Sequence, residues 1–195
     1  MRKNNKRNEK SAPKGNIRII GGIHRGRKLP VLMADGLRPT TDRVKETVFN
    51  WLMPYIRGAK CIDCFAGAGS LGFEALSRGA EHVTLLEFNK QAAKQLEENK
   101  ALLKANNLEV IKTDSLDYLQ TPPNQYDIAF IDPPFRKGLV EKVANLLNHS
   151  LTDNAIVYVE MESESNSLNL PTNWSLLKEK IAGQVVYRLY EVSKT

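Results

Sequence analysis

Between residues 60 and 78 a short apolar run, KCIDCF, gives way to Gly67-Ala68-Gly69-Ser70-Leu71-Gly72 and then to a helical pattern closed by Gly79. Glycines spaced G-x-G-x-x-G after a strand and before a helix serve a tight turn, close approach of a ligand to the backbone, and close packing of helix on strand. A chain organised around such a turn is built from strand–helix–strand units. The remaining sequence agrees. Strand character at 82–87, 108–113, 126–131 and 155–161 alternates with helical spacing at 89–105, 115–120 and 138–148. Two final strand-like runs, 174–181 and 184–193, flank the hairpin turn Ala182-Gly183. Right-handed crossovers between parallel strands then give a mostly parallel, twisted sheet with helices on both faces and a C-terminal antiparallel hairpin, an α/β, Rossmann-like fold.

Upstream, residues 1–16 are polar, basic and nearly free of large apolar groups, so disorder is expected there until a partner orders them. Residues 17–40 form a small N-terminal β-hairpin extension, with strands IRII and KLPVL around the basic turn GGIHRGR. The main domain is expected over 41–195. It opens on a helix in which Val44, Val48, Trp51, Leu52 and Tyr55 recur at helical spacing, and Pro54 marks its end. That spacing assigns Trp51 to the core.

Charge separates the two parts. Residues 1–43 carry 12 Lys+Arg against 3 acids, while the other 152 residues carry 16 bases and 19 acids. A basic arm on a mildly acidic body suits a polyanionic partner. Arg18, Arg25, Arg27 and Lys28, with His24, lie on or beside the hairpin turn, where they can follow the phosphates of RNA. No apolar run reaches the roughly 20 residues of a membrane span, and no apolar segment follows the basic N-terminal residues as in a secretory signal. No membrane partner and a cytoplasmic location are therefore expected. The two cysteines, Cys61 and Cys64, lie three apart on a strand and point to opposite faces. They are expected as reduced core residues, with no metal site. The lack of an obvious exposed apolar stripe suggests a monomer.

The glycine loop alone fits NAD or S-adenosylmethionine. Three acidic positions favour the second. Asp63, four residues before Gly67, suits a cationic amino acid moiety and would repel a pyrophosphate. Glu87 ends the next strand, where its carboxylate can take both ribose hydroxyls of either ligand. Asp114-Ser115 ends the third strand, where a side chain can take the adenine amine. Gly67 and Gly69 supply the close backbone approach.

YDIAFIDPPFRKG is the most specific segment. A buried strand runs into Asp132-Pro133-Pro134-Phe135 at the carboxyl edge of the sheet. The two prolines hold extended geometry and remove two N–H donors, leaving carbonyls free to accept. An exocyclic amine on a nucleobase is a poor nucleophile because its lone pair is delocalised into the ring. The Asp132 carboxylate and the Pro133 carbonyl can hold its two protons and turn the lone pair toward a sulfonium methyl. Phe135 offers a face on which an extruded base can stack.

Taken with RIIGGIHRGRKL, LRPTTDRVKETVFNWL, CIDCFAGAGSLGFEALSRGA, YVEME and AGQVVYRLYE, this box makes the chain resemble the class I S-adenosylmethionine-dependent methyltransferases that methylate amines. More closely, it resembles the bacterial 16S ribosomal RNA guanine-N2 methyltransferase D family. The resemblance implies S-adenosylmethionine as methyl donor and, as target, the N2 amine of a guanine in 16S rRNA on the small ribosomal subunit. It carries over Asp63, Gly67, Gly69, Glu87, Asp114 and Ser115 as donor contacts, and Asp132, Pro133 and Phe135 as contacts of the target amine and base. It also places the RPTTDR segment over the site, with Arg38 and Arg43 near the RNA. Cys64 and Ala68 stand where the family has Leu and Ser. The box itself does not separate guanine-N2 from adenine-N6 or cytosine-N4 methylation of DNA or RNA, since all three targets carry an exocyclic amine. An NAD-dependent oxidoreductase would need an acid–base set that the sequence does not show. A non-catalytic RNA-binding assembly factor would not need Asp63, Glu87 and Asp132 together.

Overall fold

The computed structural model describes residues 14–32, 41–134, 138–162 and 168–194. A seven-stranded sheet forms the body, in the order β5-β4-β3-β6-β7-β9-β8. Its first five strands in sequence are β3 (Lys60–Asp63), β4 (His82–Glu87), β5 (Leu108–Lys112), β6 (Tyr126–Ile131) and β7 (Leu151–Glu162). They are mutually parallel, and the apolar runs of β3, β4 and β6 are buried on both faces. β9 (Val185–Val192) returns antiparallel to β7, and β8 (Trp174–Ala182) pairs outside β9 as the edge. The C-terminal hairpin therefore inserts its second strand next to the parallel sheet.

Two cores flank the sheet. On one face α1 (Asp42–Leu52), α2 (Ser70–Ser77) and α3 (Lys90–Leu103) cover Cys61, Val83, Leu85, Ile128, Phe130 and Tyr158. On the other, α4 (Ser115–Tyr118) and α5 (Leu139–Leu147) cover Ile62, Cys64, Ala129, Ile131 and Val157. The two cysteines thus fall on opposite faces, both buried, and burial pushes both thiols above their ordinary range. Trp51 is half-buried, its ring centroid 5.7 Å from that of Tyr187. The Thr41 hydroxyl caps α1 by accepting from the Val44 amide at 3.3 Å.

The largest departures from the sequence reading fall at two boundaries. β7 begins at Leu151, four residues before the expected start. Asp153 and Asn154 form a bulge there, with Asn154 at φ 61 and the register shifting between Tyr126 and Ile128. The N-terminal strand β1 runs Lys14–Arg18 and pairs with β2 (Lys28–Leu32), so Lys14, Gly15 and Asn16 are ordered by pairing with Leu32, Val31 and Pro30. The basic tail expected to be disordered otherwise lies outside the described residues. The hairpin is not a loose appendage: Ile17, Ile19, Leu29 and Val31 are buried in the same core as α1 and α2.

The strand order reverses between β3 and β6. From there the chain winds outward through β4 and β5 on one side and through β7 on the other. Ligands of open α/β sheets sit at such a reversal, beyond the carboxyl ends of the strands. The glycine loop leaves β3 and the Asp-Pro-Pro segment leaves β6 at this point.

Candidate active site

The loop after β3 is fixed mainly by its own backbone. Cys64 N–H donates to the Phe130 carbonyl at 3.0 Å, Ala66 N–H to Leu86 at 2.9 Å and Gly69 N–H to Ala66 at 2.6 Å. Gly69 then enters α2 with φ 79, and a Cβ there would lie 2.6 Å from the Phe73 ring, so only glycine fits. Glu87 closes the loop from the neighbouring strand, taking Gly67 N–H at 2.8 Å on Oε2 and Asn89 N–H at 2.7 Å on Oε1. Phe88, beside it, is 73% exposed. At the start of α2 the buried Ser70 Oγ has no hydrogen-bond partner. An orphaned buried hydroxyl at a glycine loop is free to pair with a ligand.

Asp63 lies beneath this loop, 2% exposed, and forms no ion pair with the described residues. Burial pushes its carboxyl up to about 7; the amides of Phe65 and Gly72 pull down against this, and the Glu87 charge adds to the rise. A buried acid in that condition is matched by an incoming cation. Asp114 caps α4, its Oδ1 accepting from Leu116 N–H at 2.8 Å, and is half-buried. The buried Ser115 hydroxyl donates to the Cys64 carbonyl, tying the end of β5 to the glycine loop. Its side chain is therefore engaged in the fold, and its backbone remains the part that can meet a ligand.

On the other side of the reversal, β6 brings Asp132 out half-buried, Pro133 buried and Pro134 exposed. Phe135 lies outside the described residues. Burial, then the charges of Glu160 and Asp63, hold the Asp132 carboxyl well above the usual carboxylate range. The sequence reading did not single out Glu160. It follows Val159, which pairs with Ile131 in the β6–β7 register, so Asp132 and Glu160 leave adjacent strands side by side. Tyr158, buried, donates its hydroxyl to Glu160 Oε2 at 2.8 Å. The only trace in the sequence is the acid at every second position of Val159-Glu160-Met161-Glu162, which also describes a solvated strand face.

The basic residues do not all gather at the site: the hairpin turn packs against the C-terminal ends of α2 and α3, away from the glycine loop. Arg25, Arg27 and Lys28 are exposed on the hairpin, with the Arg27 guanidinium reaching the Leu102 carbonyl at 3.0 Å. Arg18 is exposed but pairs with Asp42 at 2.7 Å, so part of its charge is already answered. Arg43 is exposed on the first turn of α1, near the Tyr187 hydroxyl. Arg38 lies outside the described residues. The turn that carries the hairpin charges is held by side chains missed in the sequence. Glu74, fully buried, accepts from the amides of Ile20 and Gly21, both at 2.9 Å, and pairs with Arg78 at 2.7 Å. Lys45, also buried, donates to the Arg18 carbonyl. Ser77 donates to the Gly21 carbonyl at 2.5 Å and accepts from His24 N–H at 2.9 Å. Gly22 lies so close that a Cβ would fall 1.8 Å from the Ser77 carbonyl oxygen. Helix α2 thus starts at the glycine loop and ends by gripping the basic turn.

Among the described residues no cluster of His, Cys, Asp and Glu could hold a metal ion, and no helix is long and apolar enough to cross a membrane.

Comparison with known proteins agrees with this layout. The family model described as "Conserved hypothetical protein 95" matches residues 17–191. The ribosomal RNA small subunit methyltransferase D of Haemophilus influenzae is 56% identical over 184 residues, covering 91% of this chain and 95% of that protein. The protein of the same name from Escherichia coli strain K12 is 54% identical over 179 residues, covering 91% and 90%. The solved structure of Escherichia coli yhhF superposes with a TM-score of 0.85 at 52% identity, over 93% of this chain and all of that one. Matched over nine tenths of its length at more than half identity, the chain belongs to the ribosomal RNA small subunit methyltransferase D family.

Proposed function

We propose that the protein transfers a methyl group from S-adenosylmethionine to the exocyclic N2 amine of a guanine in 16S rRNA, acting on the small ribosomal subunit. The observation that carries this reading is the convergence at the sheet reversal of a buried, cation-seeking Asp63 and an amine-holding Asp132-Pro133 edge. The names of the relatives support the ribosomal substrate.

The donor site fits its ligand. Asp63 would meet the ammonium of the amino acid moiety, Glu87 the ribose hydroxyls, and Asp114 with the Ser115 backbone the adenine. Gly67 and Gly69 keep the loop low enough for close approach. Bound there, the donor supplies an electrophilic sulfonium methyl. Across from it, the Asp132 carboxylate and Pro133 carbonyl hold the two amine protons and direct the nitrogen lone pair at the methyl carbon. As the N–C bond forms, the S–CH3 bond breaks with its electron pair going to the sulfur of the departing S-adenosylhomocysteine; positive charge grows on nitrogen, and the adjacent carboxylate stabilises it. One amine proton then passes to solvent, giving the neutral secondary amine. The exposed charge of Arg43 would engage RNA phosphates near the site, and those of Arg25, Arg27 and Lys28 phosphates farther along the RNA.

The test offers labelled S-adenosylmethionine with unmodified small subunits, free 16S RNA and duplex DNA separately, to wild type and to Asp132→Ala. Label in subunits, reduced about a hundredfold or more in the variant with donor affinity retained, is expected. Equal turnover in the variant would remove Asp132 from the chemistry.

A further inference from the structure

We propose that Glu160 is the residue that selects guanine: its carboxylate accepts the N1–H of the base while Asp132 and the Pro133 carbonyl hold the N2 amine. This inference rests on the guanine-N2 reading above and adds a determinant that the Asp-Pro-Pro box does not contain.

The argument begins with the edges of the bases. Guanine presents two adjacent donors, the N1–H and the N2 amine. Adenine has an acceptor, N1, beside its N6 amine, and cytosine has an acceptor, N3, beside its N4 amine. One carboxylate facing the amine serves all three bases equally. A second carboxylate beside the first attracts the guanine edge and repels the lone pair that the other two bases present there.

The fold places two carboxylates in that relation. Ile131 and Val159 are register partners on parallel β6 and β7, and the next residue of each strand is an acid. Strand alternation turns Asp132 and Glu160 to the same side of the sheet as Phe130 and Tyr158, the side covered by α1. Glu160 is not splayed into solvent. It is half-buried, with Oε2 fixed by the Tyr158 hydroxyl at 2.8 Å, whereas Oε1 has no hydrogen-bond partner among the described residues. Tyr187, its register partner on β9, closes the other flank, with Thr47 and Arg43 of α1 at the Tyr187 hydroxyl. No lysine or arginine pairs with either acid among the described residues. Burial raises both carboxyls above their ordinary range, and the Glu160 charge adds to the rise at Asp132. Two half-buried acids without a cation are mutually unfavourable until something donates hydrogen bonds to both. A guanine Watson–Crick edge supplies those donors.

The test compares small subunits assembled with 16S RNA carrying either guanine or 2-aminopurine at the target position. 2-Aminopurine keeps the 2-amine but has an acceptor at N1. Wild type is expected to favour guanine in kcat/KM by about tenfold or more. In Glu160→Gln, whose amide can donate to N1, that preference should collapse to near one or reverse, with donor affinity and Tm unchanged. Tyr158→Phe, which keeps the shape and removes only the hydroxyl that orients Glu160, should give an intermediate ratio. A preference that stays at its wild-type value in both variants overturns the proposal, as does an equal loss on both substrates accompanied by loss of donor binding. Digestion of the wild-type product separates this from failure of the parent reading: a labelled nucleoside other than guanosine removes both, whereas labelled guanosine with an unchanged ratio removes only the role of Glu160.

Discussion

The Glu87 carboxylate at the end of β4 accepts the Gly67 amide at 2.8 Å, across twenty residues of sequence, and holds the Asn89 amide with its other oxygen at 2.7 Å. One side chain therefore shapes the glycine loop and, in the proposed function, also takes the ribose hydroxyls. Glu87→Gln should weaken S-adenosylmethionine binding by about tenfold to a hundredfold, because the amide must turn an NH2 toward one of two backbone donors. Calorimetric titration of the donor checks this, and unchanged affinity would place the ribose elsewhere.

Asp63 gives the donor site a pH dependence. Its carboxyl is raised to about 7 by burial, so below that pH Asp63 is predominantly protonated in the absence of donor. Donor affinity should strengthen as pH rises through about 7, and binding below it should release a proton. The stability linkage runs the other way. An acid with a raised folded-state pKa favours the fold most below the ordinary carboxylate range, and that contribution fades as pH rises through about 7 in the absence of donor. Titrations at pH 6 and 8 in buffers of differing ionisation enthalpy measure both the affinity change and the proton count. For Asp63→Asn the affinity should be weak and flat with pH.

Much of this site was legible because class and position coincide in the sequence. Asp63, Glu87, Asp114 and Asp132 each lie at or just past the carboxyl end of a strand in a strand–helix alternation, and the ends of parallel strands share one edge whatever their order. Glu160 and Tyr158 were not legible, because their importance comes from β7 lying next to β6. That adjacency is a property of the sheet order and has no local mark. Glu74 was hidden differently. It sits in SLGFEALS, a short apolar helix whose every residue is buried, where a lone acid reads as an exception until its partners arrive from residues 20, 21 and 45. The start of β7 was missed because the bulge at Asp153 and Asn154 breaks the alternation that marks a strand.

Glu74 ties the hairpin turn to α2. Its removal leaves Lys45 buried with its closest remaining acid, Asp42, at 3.7 Å, and strands the amides of Ile20 and Gly21. Glu74→Ala should cost about 3–5 kcal/mol, visible as a lower denaturant midpoint. A loss below about 1 kcal/mol would mean that water replaces the carboxylate and that the turn is not held as described.

The hairpin charges can be tested without disturbing the core. Truncating the hairpin would remove Ile17, Ile19, Leu29 and Val31 from the packed interior, so charge reversal at exposed positions is the cleaner experiment. Arg25→Glu with Lys28→Glu should weaken subunit binding and reduce the slope of log K against log salt by about one for each RNA phosphate no longer engaged, while donor affinity holds. An unchanged slope would move the RNA-binding surface off this turn.

The central claim is that the amine held by Asp132 and Pro133 belongs to guanine. Unmodified small subunits incubated with the enzyme and labelled S-adenosylmethionine, then digested to nucleosides, answer this directly. The account predicts N2-methylguanosine as the labelled product. N6-methyladenosine or N4-methylcytidine would contradict it while leaving the fold and the donor site in place.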